Sequence, residues 1–179
     1  MNIAIFGGSF DPPHIGHEKI VYESLNYLDI AKLIVVPTYL NPFKSSFKIE
    51  PSKRLTLIKD LFDGLTNVEV SAFEINHKRP VFAIETVEHF KSLYTPNKIY
   101  FIIGADNLEK LHLWHQYNEL NRLVEFIVVK RDGSILKDGL KVLDTVNIDI
   151  SSTTLRSELD LKFIPSKIKE EVKSIWLKD

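Results

Sequence analysis

Two histidines three residues apart, His14 and His17, follow a double glycine and a double proline in Gly7-Gly8-Ser9-Phe10-Asp11-Pro12-Pro13-His14-Ile15-Gly16-His17. Three of the chain's seven glycines and two of its six histidines lie in this stretch. Residues three apart share a helix face, so both imidazoles can be aimed at one anion. Glycines in the turn let a phosphate come close to backbone N–H groups. The turn has neither the G-x-G-x-x-G of dinucleotide-binding folds nor the G-K-[ST] ending of a P-loop, which argues against hydride transfer and P-loop hydrolysis. Packed structural histidines and half of a zinc site are the competing readings. The chain has no cysteine and its next histidine is His77, so a metal site is disfavoured and a phosphate site preferred.

Two further stretches have the same character. Ile102-Ile103-Gly104-Ala105-Asp106 ends an apolar run and opens a helical pattern. Asp106 there can accept from the paired hydroxyls of a ribose, or cap the helix with Glu109 three residues on. Ile150-Ser151-Ser152-Thr153-Thr154-Leu155-Arg156 brings hydroxyls to a helix start with Arg156 one turn along, a second anion cradle whose bland alternative is an ordinary cap. Lys44 and Arg131 are further cations in loops.

These residues need a scaffold that collects them. Apolar runs at Asn2–Phe6, Leu33–Val36, Val68–Phe73, Ile99–Ile103, Phe126–Lys130 and Val146–Ile150 predict strands. Helical patterns fall at Gly16–Leu28, Pro51–Phe62, Phe82–Tyr94, Asp106–Leu123 with a break near Trp114, Ser152–Leu159 and Pro165–Trp176. Continuous rather than alternating hydrophobicity in the strands predicts an α/β fold, a doubly wound parallel sheet covered on both faces. In such a sheet ligands bind outside the carboxyl ends of the strands, where all three motifs fall. Pro37–Pro51 reads as a long functional loop.

With 179 residues, 44% hydrophobic, the chain is expected to form one domain, 1–179, whose helical part at about 151–179 carries the third motif. A net charge of −1 gives no basic surface for nucleic acid. No apolar run is long enough to span a membrane, and the N-terminus lacks a signal-peptide pattern, so a cytoplasmic protein is expected.

Gly8-Ser9-Phe10-Asp11-Pro12-Pro13-His14-Ile15-Gly16-His17 resembles the G-x-F-x-P-x-H-x-G-H signature of the nucleotidyltransferase superfamily, and Ile150 to Arg156 is similar to its I-S-S-T-x-x-R signature. The I-I-G-A-D stretch followed by Trp114 resembles the bacterial nicotinate mononucleotide adenylyltransferases in particular. The resemblance implies a Rossmann-like fold and adenylyl transfer from ATP to nicotinate mononucleotide, with Mg2+ on the triphosphate. His14, His17 and Arg156 would be catalytic. ATP would be held by Gly7, Gly8, Ser9, Phe10, His14, His17, Gly104, Asp106, Arg131, Ser151, Ser152, Thr153 and Arg156. The acceptor would be held by Lys44, Ala83, Thr86, Trp114 and His115, with the tryptophan stacked on the pyridine ring. No metal site built from protein ligands, nucleic acid or membrane is implied, and the only protein partner in view is another copy of the chain.

Three segments depart from the family pattern. Phe43 replaces the histidine of P-P-H-K, Asp132 the proline of K-R-P-G, and Phe82 with Ala83 the tyrosine and threonine of P-S-Y-T. Nicotinamide mononucleotide or phosphopantetheine as acceptor, and a nucleotide sensor without catalysis, remain the alternatives.

Overall fold

A computed structural model describes residues 1–130, 141–143, 152–157 and 159–177. Strands β1 (Asn2–Gly8), β2 (Lys32–Pro37), β3 (Val68–Val70), β4 (Lys98–Gly104), β5 (Glu125–Val129) and β6 (Lys141–Leu143) pair in parallel in the order β3-β2-β1-β4-β5-β6. The helices are α1 (Ile15–Tyr27), α2 (Pro51–Phe62), α3 (Phe73–Asn76), α4 (Ala83–Tyr94), α5 (Tyr117–Leu123), α6 (Ser152–Ser157) and α7 (Lys169–Trp176). Shorter 3-10 turns lie at Ala105–Leu113, Leu161–Phe163 and Ser166–Ile168.

Strand side chains alternate between two separate cores, which is why the runs are apolar throughout. Ala4, Phe6, Leu33, Val35 and Ile102 pack on one face with Val21 of α1, Leu57 and Ile58 of α2, Leu155 of α6 and Val172 of α7. Ile3, Ile5, Ile34, Val36 and Ile103 pack on the other with Ile84, Val87 and Phe90 of α4 and Leu120 of α5. The sheet is thus the doubly wound α/β fold that the sequence predicts. Strand order reverses between β1 and β4, so their carboxyl ends, Gly8 and Gly104, flank the crevice where such sheets bind ligands.

Several elements differ from the sequence reading. The strand expected at Val68–Phe73 ends at Val70, because the Ser71 hydroxyl accepts the Phe73 N–H at 3.2 Å and turns the chain into α3. The helix expected at Asp106–Leu123 is a 3-10 helix followed by α5. Between them Trp114 is extended and Gln116 takes a left-handed φ of 52°. Likewise Pro165–Trp176 begins as a 3-10 turn. Strand β6 is short and half exposed, with no apolar run to announce it. The strand expected at Val146–Ile150 lies outside the described residues.

Candidate active site

The turn after β1 is held by rings. Phe10 is fully buried at a left-handed φ of 48° and packs edge-on against Phe6 at 5.4 Å and His17 at 4.7 Å. Its ring lies so close to Gly8 that a Cβ there would come within 3.1 Å of it, which explains the second glycine by space. His14 and His17 stack at 3.7 Å between centroids. His14 is buried, 3% exposed, while His17 is partly exposed. The His14 backbone N–H donates to His17 Nδ1 at 3.2 Å, so a neutral His17 carries its proton on Nε2, across the ring, as a donor. Both histidines stand at the N-terminus of α1, where the His17 and Glu18 N–H groups donate to His14 O at 2.9 and 3.3 Å and the helix dipole favours an anion.

The 38–50 loop is tied to this turn. Thr38 N–H donates to Gly8 O at 2.9 Å, and Lys44 Nζ donates to Ser9 Oγ at 3.1 Å. Asp11 Oδ1 and Oδ2 accept from the N–H groups of Ile49 and Lys48 at 2.8 and 2.9 Å. Lys44 itself is exposed beside the loop tip at Phe43.

Across the switch point, the Asp106 carboxylate folds back over Gly104. A Cβ on Gly104 would meet Asp106 Oδ1 at 2.3 Å, so this position admits glycine only while Asp106 keeps its place. Asp106 is exposed and lies in the first turn of the 3-10 helix, whose capping position is Gly104.

The residues expected to hold the acceptor divide. The Phe82 and His115 rings stack at 4.4 Å, which brings the start of α4, with Ala83, against the Trp114–His115 segment. Trp114 is half-buried, packs edge-on against Phe101 at 6.1 Å, and lines a surface cleft of about 670 Å3 with Glu88, His112, Tyr117 and Arg122. None of His14, His17, Gly104 or Asp106 lines that cleft. Thr86 is turned inward, 1% exposed, and its hydroxyl donates to Glu74 Oε1 at 2.7 Å. Burial pushes the Glu74 carboxyl up to about 7 against the opposing hydrogen bond from Thr86, with Glu85 nearby adding to the rise. Glu85 is opposite in character. Its bidentate pair with Arg79, at 2.6 and 3.2 Å, and the Phe82 N–H hold it down at about 2, despite some burial.

Of the third motif, Leu155 is buried in the core that contains Phe6 and Phe10, so α6 docks on the face of the sheet that carries α1. Arg131 and Ser151, and the side chains of Ser152, Thr153 and Arg156, lie outside the described residues. Among the described residues, no group of three or more His, Asp or Glu side chains is placed to hold a metal ion. None of the described helices is long and apolar enough to cross a membrane.

The cytidylyltransferase-like family model matches residues 5–174. The chain belongs to the cytidylyltransferase-like family. Within that family, it is 51% identical over 174 residues to the "Probable nicotinate-nucleotide adenylyltransferase" of Aliarcobacter butzleri, covering 96% of this chain and 95% of the relative. It is 48% identical over 178 residues to the protein of the same name from Campylobacter jejuni, covering 99% and 98%. Among solved structures it is similar to Plasmodium falciparum nicotinic acid mononucleotide adenylyltransferase complexed with NaAD, with a TM-score of 0.77 at 24% identity over 97% of this chain and 95% of the other. That likeness establishes the fold.

In this cytidylyltransferase-like chain three buried charged residues near the candidate site are not among those expected to form it. Arg54, Asp11 and Glu74 are buried at 1%, 4% and 5% exposure. Arg54 had a signal: it falls on the α2 stripe Pro51, Arg54, Leu57, Ile58, Leu61, where every other member is apolar. Asp11 and Glu74 had none, since each sits in an irregular or very short segment.

Proposed function

We infer that this chain transfers the adenylyl group of ATP to nicotinate mononucleotide, giving nicotinate adenine dinucleotide and pyrophosphate in NAD biosynthesis. A phosphate oxygen of the mononucleotide attacks the α-phosphorus of ATP. The new P–O bond forms as the bond to the β-phosphate oxygen breaks, and pyrophosphate leaves with that electron pair. A phosphate monoester is already anionic at pH 7, so the reaction needs no strong base and no covalent protein intermediate. What remains for the protein is in-line alignment of two polyanions and donors for the charge that develops between them.

The observation that carries the reading is the pair His14–His17 and Asp106 at the ends of β1 and β4, neighbours across the reversal of strand order. It occurs in a chain about half identical, over nearly its whole length, to proteins named nicotinate-nucleotide adenylyltransferase. His17 donates from Nε2 to the phosphates, His14 supports it by stacking, and the N–H groups of Gly7 to Phe10 line the turn. Asp106 takes the adenosine ribose, and Ser151, Ser152, Thr153, Arg156 and Arg131 complete the triphosphate site. Trp114 stacks on the pyridine ring, while backbone N–H groups at Ala83 and His115 meet its carboxylate. Thr86 serves this site from behind, through Glu74, and Lys44 reaches the acceptor phosphate. Mg2+ arrives as part of the Mg-ATP substrate. One domain acting in the cytoplasm, alone or as a homo-oligomer, suits this step.

Pyrophosphate release from ATP and Mg2+ tests the reading with nicotinate mononucleotide, nicotinamide mononucleotide and phosphopantetheine as acceptors in turn. Release should be fastest with the first, and no release with any of them would refute the enzyme.

A further inference from the structure

Arg54 is 1% exposed, and its guanidinium donates to three backbone carbonyls drawn from three segments. Nη1 donates to Ser9 O of the phosphate turn at 2.5 Å, Nη2 to Tyr39 O at 2.8 Å and Nε to Ile49 O at 2.9 Å. Tyr39 and Ile49 are the two ends of the 38–50 loop, and Asp11, from the phosphate turn, binds the Lys48 and Ile49 N–H groups. Burial lowers the Arg54 pKa, an effect countered by the charges of Asp11 and Glu50. Arginine nonetheless remains charged. A buried charge is costly where a leucine would fit the apolar stripe of α2, so stability alone does not explain it. What the planar fork does here, and a leucine would not, is fix the loop ends to the turn. Between those ends Pro42 to Ser46 are exposed, and the tip returns to the turn through Lys44 and Ser9.

We propose that Arg54, assisted by Asp11, is a positioning residue that sets where the 38–50 loop stands over the phosphate turn, and thereby the affinity for the acceptor mononucleotide rather than the rate of adenylyl transfer. Its kinetic consequence rests on the adenylyltransferase reading; its conformational consequence does not. Lysine at position 54 keeps the charge but cannot serve three carbonyls in a plane. A merely structural arginine would, when replaced, leave fewer folded molecules, lowering kcat at unchanged KM. A clamp would raise the acceptor KM instead.

The test combines Arg54→Lys and Asp11→Asn with two readings on the intact chain: tryptic cleavage after Lys44, and steady-state kinetics with nicotinate mononucleotide varied at saturating ATP. For Arg54→Lys we expect cleavage faster by about tenfold, and an acceptor KM raised by about tenfold with kcat within about threefold of the parent. Asp11→Asn should move both readings in the same direction by less, and the double variant should fall short of additivity. Asp11→Asn decides the matter by the same readings if Arg54→Lys does not fold. Parental cleavage and KM in the folded variants, or a loss confined to kcat, would overturn the clamp. If the parent itself releases no pyrophosphate, the adenylyltransferase reading fails separately and the cleavage rates alone decide.

Discussion

Asp11 and Glu74 are both carboxylates buried near the carboxyl edge of the sheet, 4% and 5% exposed, but on its two sides they are treated oppositely. Asp11, in the turn after β1, accepts two backbone N–H groups through both oxygens and lies near the Arg54 charge. Glu74, under the start of α4, accepts one hydroxyl, and its Oε2 has no hydrogen-bond partner among the described residues. A buried carboxyl whose second oxygen lacks a partner tends to hold its proton, as Glu74 does. The difference extends outward. The turn after β1 is fixed by stacked rings, a three-carbonyl arginine and a glycine against an aromatic face. The side proposed for the acceptor is a 3-10 helix, an extended Trp114 and a left-handed Gln116, joined to α4 through the exposed Phe82–His115 stack. The departures from the family pattern at Phe82 and Ala83 fall on the looser side.

The largest difference between the two sides is expected at His17. His17→Ala removes the fixed donor, and turnover should fall by about two to three orders of magnitude with folding retained; unchanged turnover would remove the phosphate turn from the chemistry. The next effect concerns stability. Glu74 keeps its proton in the fold up to about pH 7 but loses it near 4.5 when unfolded. Between those values the folded state binds more protons, so this group's contribution falls as pH rises, by about 3 kcal/mol in full. Glu74→Gln should therefore match the parent at pH 4 in urea unfolding and exceed it progressively toward pH 8. A difference constant with pH would show that Glu74 is ionised in the fold.

Smaller changes separate the two sides kinetically. Trp114→Ala should raise the acceptor KM by roughly tenfold and leave the ATP KM near the parental value. Equal changes in both would place the tryptophan in the core rather than in the site. Gly104→Ala inserts a Cβ 2.3 Å from Asp106 Oδ1, so the carboxylate must move. The ATP KM should rise by roughly threefold, with the acceptor KM unaffected.

Much of the scaffold was legible because parallel strands buried on both faces leave continuous apolar runs, and β1, β2, β4 and β5 were found that way. Helix α2 was bounded correctly by Pro51 at its start. What escaped was set by contacts between distant residues. Ser71 bends the chain at Phe73, β6 forms by pairing with β5, and Arg54 is recognisable as a clamp only when Ser9, Tyr39 and Ile49 meet around it. The motifs themselves were visible as residue types at fixed spacing. Their division into a rigid and a looser side was not, because stacking and burial are tertiary facts. Thr86 illustrates this: the family resemblance implies a ligand contact, and packing gives its hydroxyl to Glu74.

In the proposed reaction an acceptor phosphate attacks the α-phosphorus. Incubating the chain with Mg2+, nicotinate mononucleotide and ATP radiolabelled at the α-phosphate tests this step. The label should pass into the dinucleotide, one equivalent for each unlabelled pyrophosphate released. Label recovered as AMP or ADP, or left in ATP, would contradict it.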